Sequence, residues 1–422
     1  MSKADFMAAS WVRFFLCFVV VAGLAGCGGS SNGGSGGGGG NPTIVTYTFK
    51  GAMPAAVATQ IGTGAFTQAT LDSGTLTISV PSGTTDYAVA YSCPSTTLPG
   101  LTGNGELVIE ASTLDGTSIA RSCGAATSSG TATVQINVAA IPGASIVFIG
   151  DSLLPSVQPW LGNTLTLSLQ LQTGTHDVPI YVIDASASVV ATRILRSQTV
   201  PGALNGGDTV TFSTSDETVL EPITDSNIPA GFLPGISLVA YETSDGNGAS
   251  LSIGNFTQYR AMPVAAYESG DYYMFDVVAH SATTPTEEVG VETLTSSAGA
   301  QSFTFPAPWS YAGPAAAALP TFNFAYTAFS GMSNVSKYAT LEWSPMANST
   351  NVITVDASAN YRNGATSITV PDLSGLTGFL APAPSGTTII WRASVRQGNP
   401  FLTTPPAGAV QFVQNAGAYT EP

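Results

Sequence analysis

Four stretches of this chain repeat one pattern: a small turn centred on glycine, followed at once by a strongly apolar, aromatic run. They read PSGTTDYAVAYS from Pro81, QTGTHDVPIYVID from Gln172, ESGDYYMFDVVAH from Glu268 and PSGTTIIWRASV from Pro384. The turn glycines Gly83, Gly174, Gly270 and Gly386 are 91, 96 and 116 residues apart. The outer copies share more. VTYTFKGAMP from Val45 parallels NFAYTAFSGMS from Asn323, and GTLTISVP from Gly74 has a looser echo in TSITVP from Thr366. Short apolar or alternating runs recur between clusters of Gly, Pro, Ser, Asn and Asp, and helical periodicity is almost absent after Thr43. That is the pattern of β-strands joined by turns.

A period near 95 residues is the size of one β-sandwich domain, and the strand lengths resemble the immunoglobulin or transthyretin type. The expectation is an all-β chain of tandem sandwich modules over residues 43–140, 141–227, 228–318 and 319–400, with 401–422 as a C-terminal tail. A single larger β-architecture is the other reading of the same repeat. Prolines 306, 308, 314 and 320 mark the stretch from Ala307 to Pro320 as a linker.

Apolar residues make up 44% of the 422 residues and charged ones only 9%, which excludes a disordered chain for most of the length. With 26 acidic residues against 11 basic, the net charge is −15, and no Lys/Arg cluster exists. Nucleic acid and anionic lipid headgroups are poor partners for such a surface.

The first 26 residues form a targeting leader. Its apolar stretch, Phe14 to Leu24, falls short of the ~20 residues needed to span a bilayer as a helix. It ends in Leu24-Ala25-Gly26-Cys27. This tetrapeptide resembles the lipobox of bacterial lipoproteins, in which the cysteine thiol receives a diacylglyceryl group. The resemblance implies lipidation at Cys27 and, because Gly28 stands where that family's inner-membrane retention signal is an aspartate, the outer membrane. The folded part would face either the periplasm or the medium. Residues 27–42, lipidated cysteine and Gly/Ser-rich stretch together, read as a flexible, disordered tether.

Two cysteines remain in the folded part, Cys93 and Cys123, and an oxidising compartment pairs them as a disulfide. Two lone cysteines without neighbouring histidines offer a metal little, so neither a metal nor a cofactor is expected.

Candidate chemistry is sparse. Gly150-Asp151-Ser152-Leu153 follows an apolar run and resembles the motif of the GDSL esterases, which would make Ser152 a nucleophile. The family's base is a histidine near an aspartate, and this chain has only His176 and His280. Asp276 lies four residues before His280, one more than the family's spacing, and the family's other blocks are missing. The residue-level reading is a strand end followed by a turn, with His176 in a turn and His280 at a strand end. Asp245-Gly246-Asn247-Gly248 offers too few oxygens for calcium and suits a hairpin turn. Glu287, Glu288 and Glu292 form the densest acidic stretch.

Trp160, Trp309, Tyr311, Trp343, Tyr361 and Trp391 are the aromatics available for a sugar-stacking platform. Trp343 and Trp391 lie in strands that read as buried. Trp160, Trp309 and Tyr311 sit beside prolines in loops and are the ligand-binding candidates. The functional expectation is a lipid-anchored, non-catalytic display or adhesion scaffold with a protein or glycan partner. A carbohydrate-binding surface protein is the alternative, and an esterase using Ser152 a remote one.

Overall fold

The computed structural model describes residues 41–50, 52–93, 102–123, 129–150, 156–162, 164–186, 188–235, 237–245, 248–254, 257–282, 286–326, 329, 335–345, 349–364, 366–397 and 408–422. Cys27 and its tether, Ser152 with Asp151 and Leu153, and Gly246-Asn247 lie outside the described residues.

The chain is all-β, built from four units that share one plan, a smaller sheet facing a four-stranded one. In the first unit the strands are β1 (Thr43–Lys50), β2 (Ala56–Ile61), β3 (Thr67–Ala69), β4 (Thr75–Val80), β5 (Asp86–Cys93), β6 (Thr102–Ser112) and β7 (Ser118–Ser122). β1 pairs antiparallel with β4 and parallel with β7, while a second sheet runs β3-β2-β5-β6. The second unit has β8 (Ser129–Asn137), β9 (Ala144–Ile149), β10 (Ser156–Pro159), β11 (Leu165–Gln172), β12 (Gly174–Asp184), β13 (Val189–Val200), β14 (Gly202–Ala203) and β15 (Val210–Thr211). Its sheets are β11-β8-β14, with β15 also parallel to β8, and β10-β9-β12-β13.

The third unit comprises β16 (Val219–Ser226), β17 (Phe232–Pro234), β18 (Ser237–Glu242), β19 (Gly248–Gly254), β20 (Gln258–Ala261), β21 (Tyr272–Ser281), β22 (Thr286–Thr295) and β23 (Gln301–Thr304). Here β20-β16-β23 repeats the three-stranded sheet and β19-β18-β21-β22 the four-stranded one. The fourth has β24 (Thr321–Asn323), β25 (Val335–Trp343), β26 (Ser349–Ala357), β27 (Ser367–Thr369), β28 (Thr388–Gln397) and β29 (Gly408–Thr420), as β24-β27 and β26-β25-β28-β29.

The sequence repeat falls at one topological place. Each glycine-centred turn leads into β5, β12, β21 or β28, the fifth strand of its unit once the extra short strand β17 is set aside in unit three. All four glycines hold positive φ, 86°, 124°, 100° and 81° in order, which a side chain would oppose. Because the repeat marks the middle of a unit, it locates borders poorly. β8 precedes the expected border near Ala140 yet pairs with β11 of the second unit. β16 likewise precedes 228, and β29 occupies the expected tail.

The units do not stand apart as closed sandwiches. β22 pairs antiparallel with β29, and β26 pairs parallel with β6. The four-stranded sheets of units three, four and one thereby join into one 13-stranded sheet, with β17 beside β21. The direction of each junction fixes which way its unit faces. Antiparallel joining of β22 to β29, each the last strand of its four-stranded sheet, keeps both units on the same face. Parallel joining of a third strand to a sixth turns the next unit over.

The cores record this inversion. In units three and four the smaller sheets pack on one face, where Phe275, Val291, Val413, Trp391 and Val355 meet Tyr259, Phe303 and Phe322. In unit one the opposite face is covered, with Tyr87, Tyr91 and Ile109 against Val45, Tyr47 and Ile78. The face of unit one that turns away from its own sandwich is packed against the coil between β27 and β28. Gly378 abuts Ala56, and the Leu380 amide donates to the Glu106 carboxylate. Unit two keeps its own core around Val134, Ile149, Leu171 and Ile180.

Unit four lacks a parallel seventh strand among the described residues. The proline-rich segment expected to be a linker fills that place as a strap along β29. Asn415 Nδ2 donates to Trp309 O at 2.6 Å and Tyr419 Oη to Ala317 O at 2.7 Å, while Gln411 Nε2 donates to the carbonyl of Thr304 at the end of β23. Prolines cannot donate to a ladder, so side chains of β29 make the bonds instead. Trp391 lies between Gly313 of the strap and Gly417 of β29, where a Cβ would come within 2.6 and 2.7 Å of the indole.

Candidate functional site

On the face of the long sheet opposite the main core, units three and four carry no second sheet among the described residues. Strand alternation puts a polar row there. Glu288, Gln414, Ser394, Tyr338 and Asp356 are successive cross-strand partners on β22, β29, β28, β25 and β26. At the usual interstrand spacing the row is about 20 Å long. A second line lies beside it, with Gly290, Phe412, Arg396 and Ser336. Gly290 leaves room for the Phe412 ring, which a Cβ would overlap. Arg396 in turn lies over that ring, 5.3 Å from its centroid, and binds Glu292 at 3.1 Å.

The surroundings shift the ionisable groups. Burial, reinforced by Glu292, raises Asp276 to about 7, and burial raises Asp356 to about 6 despite Arg121 and Arg396. Glu292 lifts the Arg396 pKa further above its ordinary value. The floor is still open to solvent in part, since the Arg396 side chain is 42% exposed and that of Glu292 26%. Ser394, by contrast, is 2% exposed, and its hydroxyl has no hydrogen-bond partner among the described residues. A buried, unsatisfied hydroxyl costs stability. Because unit one is inverted, its smaller sheet stands on this side of the long sheet and walls one end of the floor. The Arg121 charge of β7 acts on Asp356 from there.

The expected site residues are scattered. His280 ends the polar row opposite Glu288, but Asp276 lies four residues back along the strand, about 13 Å away, too far for an aspartate–histidine pair. Its cross-strand partner is Glu292. His176 is a buried residue of β12, in register with Gln198, and not a turn residue. Asp245 accepts hydrogen bonds from the Asp177 amide and the Thr243 hydroxyl, both at 2.5 Å. Glu288 and Glu292 share the polar face while Glu287 points to the other. Among the described residues no group of three or more His, Cys, Asp or Glu is placed to hold a metal.

The aromatic candidates also fall apart as an exposed platform. Trp309, expected in an exposed loop, is 5% exposed, stacked on Tyr311 at 4.9 Å with 8° between planes. Tyr311 is half-buried against Trp391. Trp160 is half-buried beside the core of unit two. Trp343, Tyr361 and Trp391 are buried. Cys93 and Cys123 form the expected disulfide.

No family model matches the chain, and no curated protein does. Among solved structures, the Bacillus anthracis TIE protein aligns at 8% identity with a TM-score of 0.14, over 90% of this chain. The alignment spans 65% of that structure's length.

Proposed function

We propose that the protein is a lipid-anchored, non-catalytic scaffold of the bacterial outer membrane, held off the membrane by its tether and presenting the joined β-units to a partner. The observation that carries this reading is the sequence Leu24-Ala25-Gly26-Cys27 followed by the glycine-rich stretch to Gly40. Such a tether gives reach without fixing orientation. Edge-to-edge pairing of the units supports the reading, because a binding face built on hydrogen-bonded strands keeps its geometry.

The test is metabolic labelling of the full chain with radioactive palmitate in a bacterial host. Wild type is expected to be labelled and to fractionate with outer membrane, whereas Cys27→Ser loses both label and membrane. Label on the Cys27→Ser protein, or wild type without label, overturns the anchor. Ester hydrolysis by wild type that disappears in Ser152→Ala overturns the non-catalytic part.

A further inference from the structure

We propose that residues 377–383 form a lid over the outer face of unit one, and that the protonated side chain of Glu106 is its latch. The inference is independent of the lipid anchor.

The lid lies in the coil between β27 and β28. Turns close it off at both ends, where the Leu376 amide donates to Leu373 O at 2.9 Å and the Thr387 amide to Pro384 O at 3.1 Å. Between those turns the backbone makes one hydrogen bond among the described residues, from the Leu380 amide to the Glu106 carboxylate. Pro382 has no amide proton to add another. Beneath the lid the sheet carries small side chains. Ala56 pairs with Ser92 and Ala58 with Ala90, and the row through Ser92 continues to Glu106. Gly378 rests on Ala56, where a Cβ would come within 2.8 Å of the alanine methyl. Phe379 and Leu380 are only partly buried against the core. A segment held by one hydrogen bond and half-buried apolar groups opens more readily than the strands around it.

That one bond ends on an ionisable group. Glu106 is 3% exposed. Ser92 of β5 and Ile353 of β26 flank it on the sheet, and residues 377–383 carry no ionisable side chain. Asp372, the one acid of the coil, is exposed and accepts from the Ser374 amide. The next acid on this face of β6 is Glu110, on which Arg362 and Tyr361 act. Burial raises Glu106 to about 7, although the Leu380 amide favours the ionised form. Lifting the lid returns the carboxylate to water, where its ordinary value is about 4.3. Closure is therefore most secure below about pH 4.3 and loosens as pH rises through about 7.

The experiment is hydrogen exchange of the full chain at about pH 5 and about pH 7.5, on either side of the raised value. It is resolved to the Leu380 amide and corrected for the pH dependence of the unfolded peptide. Protection of that amide in wild type is expected to fall at least tenfold between the two conditions. Glu106→Gln keeps an acceptor but cannot ionise, and is expected to protect Leu380 equally at both. Glu110→Gln is expected to retain the fall. Gly378→Ala, which props the lid off Ala56, is expected to lose protection already at the lower pH. The latch is overturned by wild-type protection that ignores pH, by a fall that persists in Glu106→Gln, or by one that disappears in Glu110→Gln. A fall shared equally by β12, in the separate core of unit two, overturns it as well, since opening would then be global. Unchanged protection in Gly378→Ala overturns the seat of the lid on Ala56.

Discussion

Arg196 of β13 reaches from the second unit into the third and grips Asp271, a carboxylate with no solvent exposure. Its Nη2 lies 2.5 Å from Asp271 Oδ2 and its Nη1 3.2 Å from Oδ1, while Nη1 also binds Asp177 at 2.8 Å. Tyr241 donates to the same Asp271 oxygen at 2.5 Å, and the Ser244 and Glu268 amides complete the shell. Burial alone would raise the Asp271 pKa; these donors hold it below the usual range. Removing one partner of such a buried pair strands the other, at a cost of about 3–5 kcal/mol. Arg196→Met is therefore expected to lower the thermal midpoint and expose the junction between units two and three to protease. Adding Asp271→Asn should recover part of the loss. Equal midpoints for wild type and Arg196→Met would show that the junction is held elsewhere.

Glu106 and Glu110 on β6 sit where units one and four join. Burial raises both to about 7, against the opposing pull of the Leu380 amide on Glu106 and of Arg362 and Tyr361 on Glu110. A folded pKa above the unfolded one means that the protonated form is favoured in the fold. The contribution is complete below the unfolded carboxylate value of about 4.3 and is lost as pH rises through about 7. Asp276 and Asp356 have the same sign. Stability is thus expected to decline from pH 5 to pH 7.5, with a shallower decline in the Glu106→Gln/Glu110→Gln double variant. Calorimetric scans across that range would reveal a flat or rising profile if this assignment is wrong.

The Cys93–Cys123 bridge closes a loop of 30 residues within unit one. In the chain-entropy account such a loop contributes roughly 3–4 kcal/mol. Reduction, or Cys93→Ser with Cys123→Ser, is expected to bring unfolding of unit one to lower denaturant while unit two, with its separate core, keeps its midpoint. Hydrogen exchange resolved by peptide would distinguish this from a uniform loss.

Trp391 is confined by two glycines from different segments. Gly417→Ala would place a methyl carbon within van der Waals overlap of the indole, and overpacking of this kind costs about 1–3 kcal/mol. The expected result is a lower melting temperature together with blue-to-red movement of tryptophan emission as the strap loosens. An unchanged spectrum and midpoint would place the strap elsewhere.

Local patterns announced the strands because alternation and the turn glycines are written in adjacent residues. Gly83, Gly174, Gly270 and Gly386 are legible for a steric reason, since positive φ there excludes most side chains. The junctions between units leave no such mark. β6 pairs with β26 through backbone groups that any sequence carries, so nothing near Thr102 foretells a partner at Ser349. For the same reason the polar row was invisible. Glu288, Gln414, Ser394, Tyr338 and Asp356 come from five strands and meet only through register. Spacing along the chain sets Asp276 beside His280, whereas its neighbour is Glu292 across the ladder. Trp309 misled for another reason. Prolines say that a segment cannot pair as a strand, and they are silent on whether it packs.

The parallel pairing of β6 with β26 has a consequence for biogenesis. Unit one is synthesised before unit four, but the outer edge of β6 has no partner until residues 349–357 have followed. Through that interval an eleven-residue strand edge is available to the wrong chain. Closing contacts so distant in sequence is slow. Assembly of this protein therefore depends on its last unit arriving before a neighbour does.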